Sequence, residues 1–165
     1  MSVRPILMWP DGGLSAMCTP IEAITDDICV LAADMLETMY SAPGRGLAAP
    51  QVGVLKRLFV MDATWKEGTA TPVICINPEI ISRGSEETTS AEGCLSIPGV
   101  TADVTRPTDV RMIWTDLSGR VHEKDLTGFA ALCAQHELDH LDGIMTLDRV
   151  DDAQRADILA AYRAA

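Results

Sequence analysis

Basic residues are scarce in this chain. Only 13 Lys and Arg stand against 24 Asp and Glu, a formal net charge of −11 over 165 residues. Without a basic block there is nothing to neutralise a row of phosphates, which excludes strong sequence-independent grip on nucleic acid and disfavours an anionic membrane surface. No apolar run approaches the ~18 residues of a membrane helix. The stretch from Met1 to Gly13 carries one Arg and breaks at Pro10-Asp-Gly-Gly. It lacks the apolar segment of a signal peptide, so the cytosol is the expected compartment. The five cysteines (Cys18, Cys29, Cys75, Cys94, Cys133) are odd in number and scattered. Disulfides are therefore not expected; three or four of these thiols read as small buried hydrophobes and one as a ligand. What the chain does have is 47% apolar residues. A chain of this size buries ~68–70% of its unfolded surface, enough for a core in one domain over residues 1–165.

The first 24 residues read as irregular, with Pro5, Pro10, Gly12, Gly13 and Pro20. A helix follows, capped by Thr25 with Asp26 and Asp27 in its first turn. Ile28, Leu31, Ala32, Met35, Leu36 and Met39 recur at helical spacing until Pro43 and Gly44. Residues 44–53 hold three glycines and a proline and predict a tight loop without a regular element. Short β-type runs cover Leu58–Met61, Val73–Asn77 and Glu79–Ser82. A second Gly/Pro segment, Glu92 to Gly99, interrupts them. Val110–Thr115 and Arg120–Asp125 flank Asp116-Leu-Ser-Gly119, a hairpin signal. A helix then runs from Phe129 to Leu141, capped by Thr127 and closed by Asp142-Gly143. A last helix starts near Asp151 or Asp152, with Ile158, Leu159 and Tyr162 on its buried side. The pattern predicts an α+β fold, antiparallel strands packed around a central helix.

That central helix carries the chemistry. His136-Glu137-Leu138-Asp139-His140 matches H-E-x-x-H. Positions i and i+4 share one helix face, so both imidazoles reach one metal ion, and Glu137 can reach a water there without being a ligand. Exposed charges on a polar face would be the plainer reading. Against it, Phe129, Cys133, His136 and His140 form one stripe, and two of the three histidines in the chain fall at this spacing. A catalytic site also needs a third ligand and an open position. No patterned ligand follows His140. Upstream, Cys94 stands in Glu92-Gly-Cys-Leu-Ser96, where Gly93 permits close backbone approach; a buried core thiol is the alternative for Cys94 alone.

Three segments together resemble the peptide deformylase family: Gly44-Arg-Gly-Leu-Ala-Ala-Pro-Gln51, Glu92-Gly-Cys-Leu-Ser96 and Gln135-His-Glu-Leu-Asp-His-Leu-Asp-Gly143. They stand in the family's order and spacing, and the resemblance extends from Pro5 to Arg149. It implies that Cys94, His136 and His140 bind one divalent ion, characteristically Fe2+, for which Zn2+, Ni2+ or Co2+ substitute. It implies Glu137 as general acid/base, with Gln51 and the Leu95 N–H stabilising the oxyanion. The substrate is then the N-formylmethionyl end of a nascent peptide, with formate released. Phe129, Leu132 and Cys133 would line the methionine pocket, and Gly46 with its loop would align the peptide as an added strand. Glu92 is expected to organise its loop by hydrogen bonds. Asp139 should face away from the histidines, in a salt bridge for which Arg106 is a candidate. His122 reads as an ordinary surface histidine.

The chain also departs from the family pattern. Arg45 stands near the substrate where many members carry Val or Ile, and it either narrows the pocket mouth, snorkels to solvent or favours acidic residues after the methionine. Pro98-Gly-Val-Thr101 lacks an Arg that some members use on the peptide backbone. From Asp151 onward the cations are Arg155 and Arg163, too few for the basic helix with which some members reach the ribosome. The expectation is a monomeric metal-dependent hydrolase without nucleic-acid or membrane partners. The alternatives are a deformylase-like paralogue that is slow or acts on another small N-acyl compound, an ordinary zinc protease, and a non-catalytic metal-binding domain.

Overall fold

The computed structural model describes residues 1–164. Its elements are α1 (Asp26–Ser41), β1 (Gly46–Ala48), β2 (Leu58–Met61), β3 (Val73–Arg83), β4 (Glu87–Gly93), β5 (Thr101–Pro107), β6 (Val110–Thr115), β7 (Val121–Leu126), α2 (Gly128–Leu141) and α3 (Asp152–Ala164), with four short 3-10 turns. Five strands form one antiparallel sheet in the order β1-β2-β3-β6-β7, and β4 and β5 form a separate antiparallel pair.

Strand β2 shows how the sheet organises the core. All four of its residues are buried. Alternation of side chains sends Leu58 and Val60 to one face and Phe59 and Met61 to the other. The first pair packs with Ile28, Leu31, Met35 and Met39 of α1. The second packs with Cys133, Ala134, Leu138 and Leu141 of α2. The sheet is thus covered on both faces, and the Leu-Met periodicity of α1 is the sequence trace of its buried side. A third cluster joins β5, α3 and the segment after α2 through Ala102, Val104, Ile158 and Leu147. In α3 only Ile158 is fully buried; Leu159 and Tyr162 pack at the edge of that cluster.

Three expectations need correction. Residues 44–53 are not a featureless loop: they hold strand β1 and a 3-10 turn at Ala49–Val52. The two runs at 73–77 and 79–82 are one strand, β3, with a bulge at Asn77-Pro78. Proline lacks a ladder donor, so the bulge takes the irregularity instead of ending the strand. Asn77 adopts φ 48°, and its amide bonds both Ile21 N and Ile21 O at 2.8 Å. Finally, β4 and β5 flank the Glu92–Gly99 segment, where no strands were expected. Strand β4 is polar or small throughout, and the buried face of β5 is Ala102, Val104 and Arg106. An inward arginine hides the alternation on which a strand is recognised.

Helix α2 is buried almost all round after its first turn, including Gln135, His136, Glu137, Asp139 and His140. Its C-terminal carbonyls are satisfied from outside the helix. Cys18 N and Arg57 donate to Leu141 O at 2.9 and 3.0 Å, and Arg57 pairs with Asp142 at 2.8 Å. A guanidinium there also meets the negative end of the helix dipole. Gly143 then turns the chain at φ 75°, where a Cβ would lie 2.6 Å from Ser15 O.

Candidate active site

Each sequence motif contributes one wall. Strand β1 and the following turn bring Gln51, the end of β4 brings Cys94 and Leu95, and α2 brings His136, Glu137 and His140. The irregular N-terminus ties the first two together, because Leu7 N donates to Gln51 O (2.7 Å) and Trp9 N to Ser96 O (2.8 Å). The walls enclose a cleft of about 590 Å3.

At its base, Cys94 Sγ lies 3.5 Å from His140 Nε2, which lies 3.2 Å from His136 Nε2. All three donor atoms fall within 4.8 Å of one another and all three residues are buried. With bonds of ~2.1 Å to nitrogen and ~2.3 Å to sulfur, two donors on one tetrahedral ion sit ~3.4–3.6 Å apart. The observed spacings come within about 0.2 Å of that requirement. The donor set, a thiolate with two imidazoles, is also one that divalent transition metals take. The residues fit a metal ion.

The surroundings hold the donors in place. His136 Nδ1 pairs with Glu92 Oε1 at 3.0 Å, which aims Nε2 at the other donors. Glu92 in turn receives both Nε and Nη2 of Arg106 at 2.7 and 2.9 Å. Arg106 Nη1 reaches Asp139 at 2.9 Å, and Arg149 closes the far side of Asp139 at 2.7 and 3.0 Å. The loop-organising part expected of Glu92 and the Arg106–Asp139 pairing are therefore both present. Arg149 was not foreseen, since its reach to Asp139 depends on the turn after α2.

Glu137 is 4% exposed, with its Oε2 3.9 Å from His136 Nε2 and its Oε1 without a hydrogen-bond partner among the described residues. Burial pushes its carboxyl up to about 7, opposed by His136 and reinforced by Glu92. Burial also disfavours charge on His136, but Glu137, then Cys94 and Glu92, outweigh it and hold that pKa well above the ordinary value. Burial and then the His136 charge hold His140 well below it. Gln51 is fully buried. Its Oε1 accepts from Ala48 N at 2.9 Å, which leaves Nε2 to donate to Ser96 Oγ at 3.0 Å and to face Cys94 Sγ at 3.7 Å. Ser96 was part of the motif, but its role in holding the Gln51 amide was not anticipated.

The remaining expected residues also line the cleft: Arg45, Gly46, Leu95, Phe129, Leu132 and Cys133. Phe129 belongs to its mouth, 44% exposed, with the Arg45 guanidinium 4.7 Å over its ring. The mouth includes Lys66, and neighbouring Trp65 donates to Gly44 O at 2.9 Å. No signal in the sequence linked that turn to the site. His122 lies elsewhere, on the surface hairpin as expected, away from the cleft. It stacks on Trp114 with 5.2 Å between ring centres and pairs with Asp116 at 2.7 Å, bracing the β6–β7 hairpin. Cys18, Cys75 and Cys133 are buried thiols, while Cys29 is exposed.

The sequence model of the polypeptide deformylase family matches residues 3–156. A peptide deformylase of Afipia carboxidovorans is 45% identical over 162 residues, covering 98% of this chain and 95% of the relative. One from Rhodopseudomonas palustris strain BisA53 is 44% identical over 167 residues, covering 100% and 93%. Among solved structures, a peptide deformylase from Legionella pneumophila superposes with a TM-score of 0.93 at 36% identity, covering 99% of this chain and 95% of the other. One from Ehrlichia chaffeensis, in complex with actinonin, gives a TM-score of 0.93 at 36% identity, covering 99% and 98%.

Proposed function

This chain belongs to the polypeptide deformylase family, and from that premise we propose how its own residues remove the formyl group from the N-terminal formylmethionine of nascent peptides. The observation that carries the reading is the convergence of Cys94, His136 and His140 beside a buried Glu137 whose Oε1 has no partner. Cys94 Sγ and the two Nε2 atoms would hold a divalent ion, with Fe2+ as the native metal and Zn2+, Ni2+ or Co2+ able to replace it. Such an ion, when bound, polarises the formyl oxygen and lowers the pKa of water.

The protein groups supply the rest. Glu137 takes a proton from water as the water oxygen adds to the formyl carbon. The negative charge that develops on the formyl oxygen is met by the Gln51 amide and the Leu95 N–H, each worth ~3–4 kcal/mol of barrier. The C–N bond then breaks and Glu137 returns the proton to the leaving nitrogen. Formate and a free amino terminus result, and atoms balance with one water consumed. A buried carboxyl whose Oε1 has no partner among the described residues is placed to serve both halves of this cycle.

Strands β1 and β4 each have one unpaired edge, and both contribute to the cleft. An extended peptide pairs with these edges, with its methionine side chain against Leu132 and Cys133. Helix α3 carries two cations, Arg155 and Arg163, too few to neutralise a row of phosphates. We therefore assign α3 no ribosomal RNA contact. No described helix is long and apolar enough to cross a membrane.

Formate release from formyl-Met-Ala-Ser by protein loaded anaerobically with Fe2+ or Ni2+ tests the reading. Glu137→Ala should lower kcat by ~100–10,000-fold while the metal is retained. Acetyl-Met-Ala-Ser should not be cleaved, because a methyl does not fit where the formyl hydrogen does. Comparable cleavage of both would instead favour a paralogue with another N-acyl substrate.

A further inference from the structure

The mouth of the cleft runs against the charge of the molecule. In a chain of net charge −11, its lining includes two cations, Arg45 and Lys66. The carboxylates in that lining are otherwise committed: Glu92 to Arg106 and His136, and Glu137 to the reaction. Arg45 is fixed at its backbone between two glycines that Leu95 and Glu137 approach closely. Its guanidinium lies over Phe129, and the ring face restrains it. Its Nη2 meets Glu67 at 3.2 Å, and its buried Nε has no partner among the described residues. The Glu67 side chain is 62% exposed, so solvent screens that pair and an incoming anion can compete for it.

We propose that Arg45, supported by Lys66, is a specificity determinant that favours peptides carrying a carboxylate two residues beyond formylmethionine. The inference rests on the deformylase reading. Glu137 Oε2 lies 2.5 Å from where a Cβ on Gly46 would stand, so the reacting end of the peptide sits beside Gly46 and the next wall residue is Arg45. An extended chain advances ~3.3 Å per residue and alternates its side chains, which brings the third side chain, on the same side as the methionine, alongside the guanidinium. An arriving carboxylate takes Nη2 from Glu67 and, with a small turn of the side chain, adds the buried Nε that has no partner among the described residues, a fork that a guanidinium matches in two places. The same chemistry comes from an Asp or Glu side chain or from the free terminus of a short peptide.

The test measures kcat and KM of the metal-loaded enzyme on formyl-Met-Ala-Glu-amide, its Gln and Lys counterparts, and formyl-Met-Ala-Gln with a free carboxyl terminus. The Glu peptide should exceed the Gln peptide in kcat/KM by about 2–5-fold, mainly through KM, with the Lys peptide lowest. The preference should weaken in high salt, vanish in Arg45→Met and grow in Glu67→Gln. An advantage of the free terminus equal to that of Glu means that any carboxylate is read; an advantage of Glu alone means that the nascent side chain is read. Both uphold the inference. Equal rates for Glu and Gln, or a preference that survives Arg45→Met, overturn it and leave the deformylase reading standing. Failure of every formyl peptide to react overturns both.

Discussion

Gly46 has no room for a methyl group. A Cβ there would sit 2.5 Å from Glu137 Oε2 and 2.9 Å from Cys133 Sγ. Both neighbours are buried on α2, so the displaced atom would be the Glu137 carboxylate, to which we assign the proton transfer. Gly44 stands in the same relation to Leu95, whose Cδ1 would be 2.7 Å away. The two glycines of the first motif are therefore spacers between three walls of one site, and not simply loop formers. Gly46→Ala is expected to leave the far-ultraviolet circular dichroism unchanged and to lower kcat/KM by ~100-fold, since a misplacement of about 1 Å has that cost. A variant that keeps full activity would show that Glu137 tolerates the shift.

Helix α2 sets a problem that its own sequence cannot solve, because five polar side chains, Gln135, His136, Glu137, Asp139 and His140, are buried within two turns. The solution comes from another element. Arg106 on β5 is 5% exposed and joins Glu92 of β4 to Asp139 of α2, and through Glu92 it orients His136. The charges are mutually satisfied, so the network costs little while intact. Replacing Arg106 by Met would leave Glu92 and Asp139 with reduced compensation. Urea unfolding should show a loss of ~3–5 kcal/mol. Metal affinity, read by competition with a chelator, should fall ~10–100-fold, which loss of packing alone would not produce. The same arginine is why β5 was illegible: a cation at an inward position breaks the apolar alternation, and β4 has no large apolar residue to restore it.

Across the whole molecule, the donor set bridges structures that come from distant parts of the chain. Cys94 follows β4, whereas His136 and His140 belong to α2 against the five-stranded sheet. A bound ion thus links the β4–β5 pair to the main sheet. Ligand bound only by the folded state stabilises it by ~2.7 kcal/mol at 100 times its Kd. Removal of the metal by a chelator should lower Tm by ~5–10 °C, reversibly on adding Ni2+. An unchanged Tm, with metal loss verified by elemental analysis, would mean that the protein donors alone hold these units together.

The chain by itself determined the chemistry, because that depends on local spacing. His136 and His140 share a helix face whatever surrounds them, and the Asp116–Gly119 turn and the glycine stop at 143 act within a few residues. His136, His140 and Glu137 were legible on that ground, whereas Cys94 was a candidate through Gly93 beside it and Gln51 through the resemblance to the deformylase family. Thr25 and Thr127 stand at the expected N-cap positions, but neither side chain makes the expected capping hydrogen bond. Tertiary structure alone decided what depends on residues far apart in sequence. It paired β4 with β5 around an inward arginine, joined two runs across Asn77-Pro78 into one strand, and set Trp114 over His122. It also carried the Trp65–Glu67 turn to the mouth of the cleft, where Glu67 meets Arg45. Local conformational preferences act over a turn or two of chain, whereas such pairings are chosen by burial and charge compensation summed over the folded whole.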